Sequence, residues 1–285
     1  MNKFRIVSIC DIAYMAGRMD ARLIKPEKPP INKIGATAII PIRGVIDREY
    51  SWSGSPPDEI AANIYEALND AEVARIVLHI DSPGGSISGL TQVADMIFAA
   101  RQVKPIVAQV DGMAASAAYW LASQASKIYL GRLDQVGSIG VRAMLYDYSA
   151  LYEKEGVKPV LIDTGIHKST GVEGMPITDE QIDEIRAQVN QVFAEFLSAV
   201  GRGRNMDISK VKAVADGRMF MGEKALAAGL ADGIQSLNYT IANPDNPVMT
   251  ATRAAQIHGG AVLAKIKAES LLIDSAESEN SGKNE

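Results

Sequence analysis

Twice in the first half of the chain, a short apolar run passes into a loop of small residues and then into an amphipathic segment. This pattern limits the fold more than any other feature. In the first unit Arg75-Ile76-Val77-Leu78-His79-Ile80 leads into Asp81-Ser82-Pro83-Gly84-Gly85-Ser86. Leu90, Val93, Ala94, Ile97 and Phe98 then recur at helical spacing. In the second unit Pro105 opens the run Ile106 to Val110, the small-residue loop around 111–116 follows, and Ala117 to Ala122 reads as helix. Continuous apolar runs this short suit strands buried on both faces. Repeated strand–loop–helix units predict an α/β fold with parallel strands.

The rest of the chain extends this reading. Residues 1–35 form an N-terminal arm ending in Lys25-Pro26-Glu27-Lys28-Pro29-Pro30, and the globular part, 36–240, opens with a β-rich run from Ala36 to Ile46. Ser55-Pro56-Pro57-Asp58 marks a helix start, with Ile60, Ile64 and Leu68 as its buried stripe. Lys158 to Ile162 reads as a strand and Thr164 to Thr178 as a long loop. Asp179 to Val200 reads as an amphipathic helix whose stripe is Ile182, Ile185, Val189, Val192, Phe193, Phe196 and Val200. Shorter helices are expected at 207–215 and 222–229. The tail, 241–285, is expected to be partly helical over Ala251 to Ala268 and disordered over the polar stretch 275–285.

Composition narrows the function classes. A chain of 285 residues can bury a core without staples, and a net charge of −5 offers no basic surplus for nucleic acid. Cys10 is the single cysteine, so no intramolecular disulfide forms. The apolar run Ile6 to Cys10 is shorter than the ~7–15 residues of a signal-peptide core. The uncharged stretch Gly112 to Ser126 falls short of the ~18 apolar residues of a membrane span. The expectation is a soluble cytoplasmic protein without a membrane anchor.

Two loops carry candidate chemistry, since ligands of open α/β sheets bind at the carboxyl ends of strands. In DSPGGS, Gly84 and Gly85 let backbone N–H groups face a ligand, or serve only a tight turn. In DGMAASAAYW, Ser116 sits where a strand hands over to a helix, as a nucleophile or as a cap and packing residue. A serine nucleophile needs a base. His79 lies inside a buried-strand pattern and His258 in the tail, which leaves the neighbours His167 and Lys168; spacing does not choose between them. No metal-ligand cluster is evident, and no cofactor is expected.

Several motifs in order resemble the signal peptide peptidase A and phage capsid protease family of serine peptidases. They are DSPGGS (81–86), DGMAASAAYWLAS (111–123), VGSIGV (136–141), HKSTG (167–171), ITDEQ (177–181) and ADGRMFMGEKALAAGLAD (215–232), and together they span about 36–237. The resemblance implies a crotonase- and Clp-protease-like spiral of β-β-α units with additional C-terminal helices. It implies that Ser116 is the nucleophile, Lys168 the general base and Ser138 the support of the lysine. The N–H of Gly84 or Gly85 would pair with that of Ser116 as oxyanion hole. It also implies a homo-oligomer enclosing its sites, and a peptide substrate bound as an added strand, with shallow pockets for small or apolar side chains.

Without an anchor, the phage or prophage branch is expected: a head maturation protease cleaving scaffold and capsid proteins in host cytoplasm or procapsid, with capsid, portal or scaffold proteins as partners. The alternatives are a soluble signal-peptide-peptidase-like enzyme, a non-catalytic procapsid scaffold or binding protein retaining the fold, and a crotonase-like acyl-CoA enzyme.

Overall fold

The computed structural model describes residues 31–48 and 54–243. Its framework is a sheet in the order β1-β2-β3-β4-β5-β8, where β1 is Asn32–Ile34, β2 Thr37–Ile46, β3 Arg75–Gly85, β4 Ile106–Ala115, β5 Lys127–Leu130 and β8 Gly233–Ile234. Every neighbouring pair is parallel except β1 with β2. The globular part therefore begins inside the stretch read as an arm, because Asn32 to Ile34 have backbone partners in Thr37 to Ile39. Helices α1 (Pro57–Asn69), α2 (Leu90–Ala100) and α3 (Ala117–Ser123) make the crossovers.

Side chains alternate along each strand and so sort onto two faces. Ile76, Leu78 and Ile80 of β3 join Ile60 and Ile64 of α1 and Leu90, Val93 and Ile97 of α2 in one core cluster. The opposite face carries Val77 and His79 of β3 with Gln109 of β4, all buried. There α8 (Leu237–Ala242) closes over the sheet: Arg75 donates to the Ile241 carbonyl at 2.8 Å, and Thr240 Oγ1 donates to Gln109. Burial on both faces explains why the run at 76–80 is apolar apart from His79.

The two small-residue stretches, expected as loops, are the upper halves of long strands. The register of β3 shifts between Ile80 and Ser82, after which Val45 and Ile46 of β2 lie opposite Gly84 and Gly85. In β4, Val107 to Gln109 pair with β5, whereas Met113 to Ala115 pair with β6 (Gln135–Gly137). Lower strand, upper strand and helix are the β-β-α unit, and β6 is closed by antiparallel β7 (Met219–Met221).

Beyond β6 the chain forms α4 (Ser149–Lys154), a 3₁₀ turn (Ile166–Ser169), α5 (Asp179–Arg204), α6 (Ile208–Val214) and α7 (Gly222–Ala227). Lys158 to Ile162 form no strand: they lie exposed, with no sheet edge beside them. The stripe of α5 is also not uniformly core. Phe196 and Val200 are buried, but Ile182 is exposed, and Val189 and Phe193 are half-buried, because the first half of this helix projects past the sheet. The expected helix at 251–268 and tail at 275–285 lie outside the described residues, as does most of the arm. No helix among the described residues is long and apolar enough to cross a membrane.

Candidate active site

Ser116 stands where β4 ends and α3 begins, with φ 52° and ψ −121°. Left-handed φ is costly for a residue with a Cβ and persists only where the surroundings over-determine it. Here they do. The Ser116 N–H donates to the Gly137 carbonyl of β6 at 2.9 Å, and its own carbonyl accepts the Trp120 N–H at 2.9 Å. Its side chain makes no capping hydrogen bond, which sets aside the capping role. The hydroxyl is left at the lip of a cavity of about 600 Å³.

The two glycines are required by close packing. A Cβ on Gly84 would lie 2.6 Å from the Ala115 carbonyl oxygen and 2.8 Å from the Ala117 nitrogen; one on Gly85 would lie 2.2 Å from the Ile46 oxygen. SPGG therefore lets β3 press against β2 on one side and the serine turn on the other. Below, Asp81 accepts the Met113 N–H at 3.3 Å and Asp134 the Gly112 N–H at 3.1 Å, bracing the strand that leads to Ser116.

The backbone donors differ from the expected set. The Ser116 N–H is engaged by Gly137, and the Gly84 N–H donates to Ser82 Oγ at 3.2 Å. Of the three expected donors, Gly85 alone lines the cavity without such a side-chain or turn partner. Because Ser86 N–H bonds to the Ile46 carbonyl with Gly85 opposite Ile46, the Gly85 N–H is directed away from β2. The Ala117 N–H, first of α3, has no carbonyl within its helix and also lies on the cavity. Sequence reasoning missed Ala117, although the rule that a first helical N–H is orphaned points to it.

Ser138 lines the same cavity, likewise in left-handed backbone (φ 50°). Its N–H donates to the Arg218 carbonyl at 2.9 Å, and the Gly217 N–H to the Ile139 carbonyl at 3.2 Å. The DGRMF stretch thus buttresses the Ser138 turn. The guanidinium of Arg218 grips Asp216 and holds its carboxyl below the usual carboxylate range. Lys168 is not brought to Ser116. It sits exposed in the 3₁₀ turn and is not among the residues lining the cavity, and the adjacent His167 is exposed as well. His79 is buried and satisfied, with Nε2 2.9 Å from Asp111 and Nδ1 3.3 Å from the Arg43 guanidinium; His258 lies outside the described residues. Among the described residues no three His, Cys, Asp or Glu gather as a metal ion requires.

The inner cavity is apolar, built from Leu90, Trp120, Val189, Phe193 and Phe196. The Trp120 and Phe196 rings stack at 4.6 Å. The projecting half of α5 supplies one of the cavity walls, through Val189 and Phe193. Beneath α3 lies a largely buried ion pair, its arginine side chain 7% and its aspartate 21% exposed. Arg204 reaches Asp232 at 2.7 Å and the Gly229 carbonyl at 3.1 Å, while Tyr119, whose hydroxyl is pushed up by burial, donates to Leu230. Burial works against the Asp232 carboxylate, yet Arg204, the Ile128 N–H and Lys127 hold it below the usual range.

This arrangement can be set beside known proteins. The sequence model of peptidase family S49 matches residues 99–248, and that of Clp protease matches 45–129, the β-β-α units from β2 to β5. The chain is 29% identical to the head-tail preconnector protein GP5 of Enterobacteria phage P21, over 85% of this chain and 50% of that protein. It is 32% identical to the capsid assembly protease C of Escherichia phage lambda, over 61% of this chain and 39% of that one. It is 29% identical to Protease 4 of Salmonella typhi, over 75% and 35%. The chain thus spans half or less of the length of these relatives. Since the S49 match takes in the serine turn, the helix-α5 wall of the cavity, the 3₁₀ turn and more than half of the chain, this protein belongs to peptidase family S49.

Proposed function

We propose that the chain is a serine endopeptidase using Ser116 as nucleophile and Lys168 as general base, acting in maturation of a phage or prophage head. The observation that carries this reading is Ser116 itself: a serine in enforced left-handed backbone, making no cap, at the lip of an apolar cavity. Neutral Lys168 takes the hydroxyl proton as Ser116 attacks the scissile carbonyl, then protonates the leaving amine, and water releases the acyl group. The N–H groups of Gly85 and Ala117 receive the oxyanion; one such donor is worth about 2.7–4 kcal/mol. Ser138 holds the lysine, and the inner cavity takes an apolar side chain of the substrate.

Assembly completes the site. The segment carrying Lys168 exposes Tyr146, Tyr148, Leu151, Val157, Val160 and Ile162, an apolar surface that a homo-oligomer covers. In that assembly Lys168 meets a Ser116. The phage role is supported by the P21 relative, which covers more of this chain than Protease 4 does. A second reading, a signal-peptide-peptidase-like enzyme degrading short apolar peptides, is favoured by the similarity to a relative named as a putative signal peptide peptidase SppA.

The test incubates wild type, Ser116→Ala and Lys168→Ala with a denatured protein, with apolar peptides, and with a phage capsid protein. Cleavage by wild type alone is expected, with the capsid protein cut at defined sites. Equal cleavage by all three proteins sinks the dyad, and cleavage of peptides but not capsid protein favours the second reading.

A further inference from the structure

We propose that Gln181, in the ITDEQ stretch, is a positioning residue that ties the turn bearing Lys168 to the helix walling the substrate cavity; this rests on the reading of Lys168 as base. Gln181 is only 5% exposed, although its neighbours in the first turn of α5 face solvent. It closes a capping box with Thr178: its N–H donates to Thr178 Oγ1 at 3.3 Å, and its Oε1 accepts the Thr178 N–H at 3.2 Å. Glutamate completes such a box equally well. The box therefore leaves unexplained the one group that glutamate lacks, the side-chain N–H.

That group has a single destination. Gln181 Nε2 donates to the Ile166 carbonyl at 2.6 Å, and Ile166 opens the 3₁₀ turn that contains Lys168. The second lone pair of this carbonyl takes the Ser169 hydroxyl at 3.1 Å. A parallel tie runs through Asp147, which accepts the Ile177 N–H at 3.1 Å and the Ser149 N–H at 2.9 Å. From Gln181, α5 runs on to Val189 and Phe193 on the cavity, about 12–18 Å away at 1.5 Å per residue. Elsewhere the Lys168 turn is exposed, so Gln181 sets the position of the base relative to the cavity wall.

Two substitutions separate tether from cap. Gln181→Glu keeps the cap acceptor and faces the Ile166 carbonyl with a carboxylate; Gln181→Lys keeps a donor and loses the acceptor. With Gln181→Glu, Tm is expected to hold while kcat falls about 10²-fold with little change in KM. Amide exchange quickens at 166–170. With Gln181→Lys, Tm is expected to fall while kcat and amide exchange at 166–170 stay near wild type. Activity that follows Tm in both variants, or wild-type kcat and amide exchange in Gln181→Glu, overturns the tether. Lys168→Ala is run alongside: if it cleaves like wild type, the dyad fails, whatever Gln181 does.

Discussion

The nucleophile half of the molecule and the segment that carries the lysine are built on opposite plans. Around Ser116, β3, β4, β6 and α3 are held by strand ladders, by glycines with no room for a methyl group, and by the buried Arg204–Asp232 pair. From Arg142 to Ser169 no residue is fully buried, and large apolar side chains face outward. A single chain therefore has enough packing to strain a serine into φ 52°, but not enough to seat a lysine against it. On the proposed reading, the nucleophile would be a property of the protomer fold, whereas the base would depend on assembly and on the anchorage of its turn to α5.

The sharpest way to break this comparison is to mix two inactive proteins. If the lysine of one copy serves the serine of another, co-assembled Ser116→Ala and Lys168→Ala proteins recover peptidase activity, from none to readily measured. Continued inactivity of a verified mixed oligomer assigns both groups to one copy.

The next largest effect falls on the rigid half. Asp232→Asn leaves the Arg204 guanidinium buried without its charge partner and is expected to cost about 3–5 kcal/mol, read by denaturant unfolding. The carboxyl is lowered in the folded state, so its contribution is present above the ordinary carboxylate range and is lost as pH falls through the lowered value. The variant should lack that acid-dependent loss.

Gly84→Ala is expected to cost about 1–3 kcal/mol of backbone strain at φ 89°. Its activity should fall further than its stability explains, because the new methyl group meets the backbone at Ala115 and Ala117. Wild-type kcat in a folded Gly84→Ala protein would show that the serine turn tolerates displacement.

The smallest effect on folding is expected in the lysine segment. Ile162→Asp, at a side chain that is 93% exposed, should shift protomer stability by no more than about 0.5 kcal/mol. It should nevertheless lower the oligomer mass in light scattering, and peptidase activity with it. An unchanged oligomer would place the interface elsewhere.

Much of the rigid half was legible in the sequence. The apolar runs at 76–80 and 106–110 marked central strands, and the proline-led start of α1 and the helical spacing of α2 appear where their residues predict. SPGG and Ser116 stood out by residue type and Ser138 through the family resemblance, and the structure gathers Ser116, Ser138 and Gly85 on one cavity. What escaped was tertiary. The stripe of α5 reads as core from end to end, because periodicity reports an apolar face and not what covers it; Val189 and Phe193 line a cavity instead. Lys158 to Ile162 have the composition of a strand, but a strand needs a partner, and among the described residues no strand pairs with this stretch.

The ordered motifs alone assigned the family, and the residue types alone proposed a serine nucleophile with a lysine or histidine base. Those assignments rest on local chemistry: which side chains attack, which accept protons, which positions admit only glycine. Only the tertiary structure turned two supposed loops into upper strands, engaged the N–H groups of Ser116 and Gly84, and left Gly85 and Ala117 toward the cavity. It also left Lys168 in the open, tied back to α5 through Gln181. The reason is physical: hydrogen-bond partners and burial are set by residues far apart in the chain, and no local pattern encodes which of them will meet.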